Sequence, residues 1–293
     1  MTVAASPADI RDRLRDLVQA PPPLLVVTDF DGTLSPIVME PMGARIEALG
    51  RRALRRLARL AERRPERLVV VVLSGRQAAD VAGRVRVGGL RYLGNHGIEG
   101  AALARGRRAE GLEIAVDDAL QRWVEPAEAI ATLVASRLGN PAWLFLEPKG
   151  PTVAFHFRQA PDPAAAKVAV IEAIEAAEEE LGGTGLIQVD GRRIVELRPD
   201  LAGGKGAAME RLIERERPGA VLTLGDDVSD AEAFESMRAA RSRGDIRGLA
   251  VAVHGASETP AAVRDSADVF LPTTRDAARL LSALAGLLER EAV

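Results

Sequence analysis

Short, almost purely apolar runs that end in polar tips alternate along this chain with stretches whose apolar residues recur every three to four positions. Leu24 to Thr28 and Leu68 to Leu73 are unbroken runs of the first kind, the pattern of strands covered on both faces. Residues 7 to 19 carry Ile10, Leu14 and Leu17 on one helical stripe, and Pro21 to Pro23 stop it. Residues 41 to 64 read as a helix through Leu54, Leu57, Ala58 and Ala61. Another begins at Gln77, and Arg91 to Gly94 is a short strand. The same rhythm returns late in the chain: helix 205–217, strand Val221 to Leu224, helix 231–240, strand Leu249 to Val253 and strand Asp268 to Leu271. A last helix has its apolar face at Leu280, Leu281, Leu284, Leu287 and Leu288.

Between about 100 and 198 the order changes. Helix-like 119–138 precedes strands at Trp143 to Glu147 and Thr152 to Arg158. Helix-like 163–181 then precedes strands at 186–189 and 192–198. That order suits a small four-stranded sheet with helices on one face. The expected fold is therefore α/β. A Rossmannoid core with a mostly parallel sheet between helices (1–99 and 200–293) is interrupted by an inserted α/β cap (100–199) that recognises substrate.

Composition narrows the chemistry. With 293 residues, 47% hydrophobic and 28% charged, the chain has the makings of a packed core, not of a disordered one. A formal charge of −3 without a basic tail argues against a nucleic-acid partner. No apolar run approaches the roughly 18 residues of a membrane span, which predicts no membrane partner. The first residues lack the apolar stretch of an export signal, so the expected location is cytoplasmic. The absence of cysteine excludes disulfides, thiolate metal sites and thiol nucleophiles. Of 39 basic residues only Lys149, Lys167 and Lys205 are lysines, and a compact ammonium retained among arginines points to a tight anionic site.

The first strand ends in Asp29-Phe30-Asp31-Gly32-Thr33, two carboxylates at a strand tip beside a glycine that lets the chain turn. Ser74-Gly75-Arg76 follows the second strand, Lys205 lies in a glycine-rich segment, and Gly225-Asp226-Asp227-Val228-Ser229-Asp230 follows a later strand. In order and placement these resemble the four motifs of the haloacid dehalogenase-like (HAD) phosphotransferases. A phosphate monoester and an attacking carboxylate repel each other, so cations and oriented donors must offset the charge. Asp29 is the expected nucleophile, forming an acyl phosphate. Asp31 is the expected acid for the leaving oxygen and then base for the hydrolytic water. Gly32, Thr33, Ser74, Gly75 and Lys205 form the expected phosphate-binding set. Oxygen ligands imply a hard cation, Mg²⁺, held by Asp29, the carbonyl of Asp31 and Asp226. Asp230 is expected to orient bound water or Lys205, and the residues alone leave Asp227 free to exchange roles with it.

The insert and its junctions carry Gly94-Asn95-His96-Gly97 with Glu99, Glu147-x-Lys149 with His156-x-Arg158, and Glu196-x-Arg198-Pro199. With the motifs above, this set is similar to the trehalose-6-phosphate phosphatases over residues 24 to 240. The resemblance implies hydrolysis of trehalose 6-phosphate to trehalose and phosphate. Glu147, Lys149 and Glu196 would grip sugar hydroxyls, Asn95 and His96 would border the entrance, and Arg76, His156, Arg158 and Arg198 complete the expected substrate-binding set. Ser229 stands where the family usually has Thr, and Ala231 where an acid is common. Other readings are a phosphatase for another glycosyl phosphate such as a mannosyl- or glucosyl-3-phosphoglycerate, a phosphosugar mutase, and an inactive sugar-phosphate sensor. The expected assembly is a monomer or weak homo-oligomer.

Overall fold

The computed structural model describes residues 7–38, 43–107, 109, 111–116, 118–191, 193–200, 203–253 and 260–291. Two compact units emerge: Met1–Ile114 with Gly204–Val293 (unit 1), and Ala115–Gly203 (unit 2). In chain order, unit 1 begins with α1 (Pro7–Val18), β1 (Leu24–Thr28), α2 (Ala48–Arg63), β2 (Leu68–Leu73), α3 (Ala78–Val85), β3 (Leu90–Gly94) and β4 (Glu99–Leu103). The two-residue β5 (Ala115–Val116) leads out of it. Unit 2 continues with α4 (Val124–Arg137), β6 (Phe145–Pro148), β7 (Val153–His156), α5 (Pro163–Leu181), β8 (Leu186–Gly191) and β9 (Ile194–Pro199). The chain then returns to unit 1 through α6 (Gly204–Glu216), β10 (Ala220–Gly225), α7 (Val228–Ser242), β11 (Arg247–Val253), α8 (Ala261–Ser266), β12 (Val269–Leu271) and α9 (Thr274–Glu291).

The main sheet has the order β12-β11-β10-β1-β2-β3-β4-β5. From β12 to β3 all pairings are parallel, and β4 turns back antiparallel on β3. Alternate residues of the central strands feed two cores. Leu24, Val26, Val70, Val72, Leu222 and Leu224 pack with residues of α1, α2, α3 and α9. Leu25, Val27, Val69, Val71 and Val221 pack with residues of α6, α7 and α8. Burial on both faces is why these strands read as continuous apolar runs. The chain departs from β1 toward β2 on one side and reaches β10 on the other, and the crevice at such a switch point is where ligands bind in open α/β sheets.

Unit 2 is a four-stranded antiparallel sheet of order β6-β7-β9-β8. Val153, Phe155, Phe157, Val195 and Leu197 pack against Ile130 and Val134 of α4 and Val170 and Ile174 of α5. Asp162 caps α5 by accepting from the N–H groups of Ala164 and Ala165, with Pro163 in the first turn and Gly182 closing the helix at φ +72°.

Three expectations shift. The helix expected over 41–64 starts at Ala48. Residues 39–42 lie outside the described residues, and Glu47 N–H instead donates to Leu34 O, which holds the segment extended. The helix expected over 119–138 begins at Val124, after a 3₁₀ stretch over Asp118–Trp123. That start places Pro126 in the first turn, where its missing N–H costs nothing. Residues 100–114, expected in the insert, group with unit 1 because β4 extends the main sheet. Among the described residues no helix is long and apolar enough to cross a membrane.

Candidate active site

The tips of β1 and β10 lie side by side, with Thr28 opposite Leu224. The Asp29 N–H donates to Leu224 O at 3.0 Å, which carries the pairing one residue beyond the strand. The buried Phe30 anchors the turn that follows, its carbonyl accepting from Leu34 and Ser35 N–H at 2.9 and 2.8 Å. Gly32 has φ +74°, and a Cβ there would lie 2.0 Å from Asp226 Oδ2. A Cβ on Gly225 would lie 2.2 Å from Asp230 Cγ. These two glycines are the condition for bringing the acids of the β10 tip against the β1 turn.

Lys205 is the second residue of α6 and its side chain is 3% exposed. Its Nζ donates to Asp29 Oδ1 at 2.6 Å and to Asp230 Oδ1 at 2.8 Å. The other oxygen of Asp230 accepts the N–H groups of Asp226 and Asp227 at 3.1 and 3.2 Å. Asp226 Oδ1 accepts from the Thr33 hydroxyl at 3.3 Å. Asp227 is exposed and caps α7 through the Val228 N–H. The two acids are thereby distinguished: Asp230 holds the lysine and Asp227 closes the helix.

Burial pushes the Asp29 carboxyl up to about 7, against the pull of Lys205 and with help from Asp230. Burial, then repulsion from Asp29 and Asp230, pushes Asp226 up to about 8. Burial also opposes charge on Lys205, yet Asp230 and Asp29 hold its ammonium above the ordinary lysine range. Oxygens of Asp29, Asp226 and Asp230 all lie within 4.8 Å of one another. Three carboxylates facing one ammonium leave two negative charges, a donor set and a charge that fit a hard divalent cation. Asp230 already accepts three hydrogen bonds, so Asp29 and Asp226 are the side chains suited to the ion.

The second expected motif closes one side of the turn. Ser74 is buried, and its hydroxyl oxygen accepts the Arg76 N–H at 3.2 Å. Arg76, expected among the substrate contacts, grips Asp31: Nε to Oδ2 at 2.6 Å and Nη2 to Oδ1 at 2.8 Å. Asp31 thus faces Arg76 while Asp29 faces Lys205.

Residues 95–97 form a 3₁₀ turn with three successive positive φ angles, +48°, +58° and +95°. The N–H groups of Asn95 and His96 donate to Arg76 O and Ser74 O at 2.8 and 2.9 Å. A Cβ on Gly75 would come within 2.9 Å of the His96 ring. Asn95, expected at an entrance, is buried, and its amide donates to Glu99. Glu99 accepts the Ala78 N–H with its other oxygen, tying this turn to the start of α3. The left-handed turn directs the Asn95 side chain inward onto Glu99, while its N–H holds the Ser74–Arg76 loop. Arg211 of α6 donates to Gly97 O at 3.1 Å, which links the same turn to the helix bearing Lys205.

In unit 2 the strand register sorts the expected residues. Phe145 is opposite His156, Glu147 opposite Ala154, and Ala154 opposite Glu196; Lys149 N–H donates to Thr152 O. Alternation along each strand places Glu147, His156, Glu196 and Arg198 on the face away from α4 and α5, and Lys149 follows the end of β6. Glu147 Oε2 is 2.8 Å from His156 Nε2 and 3.4 Å from Lys149 Nζ. The hydrogen bond from His156, with Lys149 nearby, holds the Glu147 carboxyl below its ordinary range. Arg158 lies beyond the end of β7 and is exposed. Arg198 Nε is buried without a hydrogen-bond partner among the described residues. Phe145, 63% exposed beside His156, joins this face. Alternation with Glu147 was the signal that placed it there.

Comparisons with known proteins bear on this arrangement. A family model described as trehalose-phosphatase matches residues 27–268. A trehalose-phosphate phosphatase of Mycobacterium avium is 36% identical over 271 residues, covering 90% of this chain and 63% of that protein. An uncharacterized glycosyl hydrolase of Mycobacterium tuberculosis is 37% identical over 221 residues, 73% of this chain and 15% of that protein. The chain thus spans less than two thirds of the length of these curated relatives. Among solved structures, a trehalose-6-phosphate phosphatase of Aspergillus fumigatus matches with TM-score 0.65 at 23% identity, covering 98% of this chain and 99% of that one. A haloacid dehalogenase-like hydrolase from Bacteroides thetaiotaomicron matches with TM-score 0.54 at 17% identity, covering 92% of this chain and 100% of that one. These likenesses identify the fold as HAD-like.

Proposed function

This chain belongs to the trehalose-phosphatase family, and on that premise we propose that it hydrolyses trehalose 6-phosphate to trehalose and phosphate. The observation that carries the reading is the buried contact of Lys205 with Asp29 and Asp230 beside Asp226, assembled from the tips of β1 and β10 and the first turns of α6 and α7. In this proposal an Asp29 oxygen attacks phosphorus while the bond from phosphorus to the sugar oxygen breaks, leaving an aspartyl phosphate. Asp31 gives the departing oxygen its proton. It then takes a proton from the water that attacks the intermediate, releasing phosphate and restoring Asp29.

The Lys205 ammonium, the Ser74 hydroxyl and the Gly75 N–H are assigned to the phosphoryl oxygens, whereas Gly32 and Thr33, expected in the same set, shape the turn: the Gly32 N–H donates to Ser35 O and the Thr33 hydroxyl to Asp226 Oδ1. Asp29, Asp226 and the carbonyl of Asp31 would hold Mg²⁺. When bound, the ion supplies positive charge that offsets repulsion between carboxylate and phosphate. Glu147, Lys149, His156, Arg158, Glu196 and Arg198 are assigned to recognition of sugar hydroxyls, which charged side chains reward strongly when paired. Ala231 does not favour the inactive reading: it is 2% exposed and packs with Ala208 and Phe234, while Asp29, Lys205 and Asp226 are intact.

The test is a panel of phosphate esters ranked by kcat/KM with free phosphate as the readout. Trehalose 6-phosphate is expected to exceed glucose 6-phosphate by at least about 10²-fold, because the smaller ester leaves binding groups unpaired. Equal turnover of the two overturns the assigned specificity. Conversion without phosphate release overturns hydrolysis in favour of a mutase.

A further inference from the structure

Asp31 sits at the outer edge of the β1 turn, and its side chain is 41% exposed. A carboxylate in that position has rotamers to choose from, whereas an acid acting on a leaving oxygen must stay within hydrogen-bond reach of it. The fork of Arg76 supplies the constraint through its paired bonds at 2.6 and 2.8 Å. Arg76 is itself held. Its Nη1 donates to Asp80 Oδ2 at 3.1 Å, and the guanidinium carbon lies 5.7 Å from the Phe30 ring centroid. Asp80 is fixed in turn by Arg84 Nε, at 2.9 and 2.8 Å to its two oxygens, and Arg84 Nη1 reaches Ala44 O at 3.2 Å. Asp80 and Arg84 stand four apart on α3, the spacing at which a helix brings such a pair together. The result is a line of alternating charge, Asp31–Arg76–Asp80–Arg84, running from the site into the first helix after Ser74.

We propose that Asp80 is a positioning residue for the reaction: by fixing Arg76 it sets the orientation of the Asp31 carboxyl toward the leaving group. The inference rests on the assignment of Asp31 as acid and base made above. Asp80 is the informative member because its ion-pair partners among the described residues are Arg76 and Arg84. A consequence of changing it at the reacting atoms therefore has to pass through Arg76.

The leaving group provides the readout. A sugar alkoxide needs a proton as it departs, whereas p-nitrophenolate is a stable anion that leaves without one. kcat/KM covers steps up to the first irreversible one, here phosphorylation of Asp29. Asp80→Asn is expected to lower kcat/KM for trehalose 6-phosphate by about 10-fold, a fraction of the full acid contribution. For p-nitrophenyl phosphate the fall should be under about twofold, as a misoriented acid predicts. Asp31→Asn should show the same selectivity with a larger amplitude. Equal losses on both esters, or a loss on neither, overturn the proposal, because a general structural or phosphate-binding role does not distinguish leaving groups. Arg84→Gln, which releases Asp80 without altering its charge, should move the ratio in the same direction and serves if Asp80→Asn does not fold. Should the parent fail to hydrolyse trehalose 6-phosphate, the substrate reading falls. Glucose 6-phosphate, also an alkyl ester, then replaces it in the same comparison and decides Asp80 separately.

Discussion

Replacing Lys205 with Met keeps an unbranched side chain of similar length and deletes one buried charge. The ammonium bonds Asp29 and Asp230 at 2.6 and 2.8 Å and is 3% exposed, so water cannot take its place without rearrangement. Removing one partner from a buried, hydrogen-bonded ion set costs about 3–5 kcal/mol because the remaining charges are left uncompensated. For a unit of this size that corresponds to a Tm fall of roughly 6–20 °C. The fall should depend on pH with a definite sign. Asp29 sits at about 7, above its ordinary 3.8, through burial opposed by Lys205. A carboxyl raised on folding contributes stability that is complete below its unfolded pKa and is lost as pH rises through the folded one. In the parent that loss levels off above about pH 7. Without Lys205 the folded value moves higher and the loss continues, at about 1.4 kcal/mol per pH unit. Thermal unfolding in chelator at pH 5, 7 and 9 should therefore show a gap between parent and K205M that widens from pH 7 to 9. Turnover should fall at least about 10²-fold, as for a lost donor to developing phosphoryl charge. An equal gap at pH 5 and 9, or an unchanged Tm, refutes the account of this cluster.

The same electrostatics make Asp29→Asn (D29N) a stabilising change in the metal-free protein at pH 8, since it removes a carboxylate that burial disfavours. Its Tm should exceed the parent's at pH 8 and converge with it near pH 4, while turnover drops at least about 10²-fold; a lower Tm at pH 8 contradicts this. Millimolar Mg²⁺ should raise the parent's Tm more at pH 8 than at pH 5.5, because protons on Asp29 and Asp226, raised to about 7 and 8, compete with the ion. A shift independent of pH, or one retained by Asp226→Asn, would remove the cation from this cluster.

The parts of the fold that announced themselves were those whose local pattern and tertiary environment agree. β1, β2 and β10 are buried throughout and mostly apolar because helices cover both faces of the sheet, and their polar tips are where that cover ends. β4 escaped notice since its Gly100, Ala101 and Ala102 have little strand preference. Its antiparallel pairing with β3 makes it a strand. The meeting of Asp29 and Lys205 was legible from the order of motifs that carries the family resemblance, but the partner of Arg76 was not. Asp31 is 45 positions upstream of it, and Asp80 looks like any acid in a helix's first turn until the turn of β1 is laid beside it. Asp227 and Asp230 were separable in principle. Three residues apart before a helix, they form a capping box, which assigns the first to the cap and turns the second back toward the loop.

Two aspartates separated by one residue are chemically identical on paper, and the turn between them gives them the different surroundings on which their proposed roles rest. The Asp29 side chain is 6% exposed and meets the lysine, whereas that of Asp31 is 41% exposed and meets an arginine fork. Phe30, buried between them, pins the backbone so that the first points into the junction of β1, β10 and α6 and the second toward the Ser74–Arg76 loop. A nucleophile benefits from the first setting: weak hydration, a cation at hydrogen-bond distance, and a charge that folding disfavours until a counter-ion or substrate offsets it. A group that must exchange protons with a leaving oxygen and then with water benefits from the second, where solvent reaches it and its orientation is fixed from behind. Exchanging the two environments would leave the sequence motif recognisable and remove the division of labour. The assignment of roles therefore rests on the geometry of Phe30 and Gly32 as much as on the carboxylates themselves.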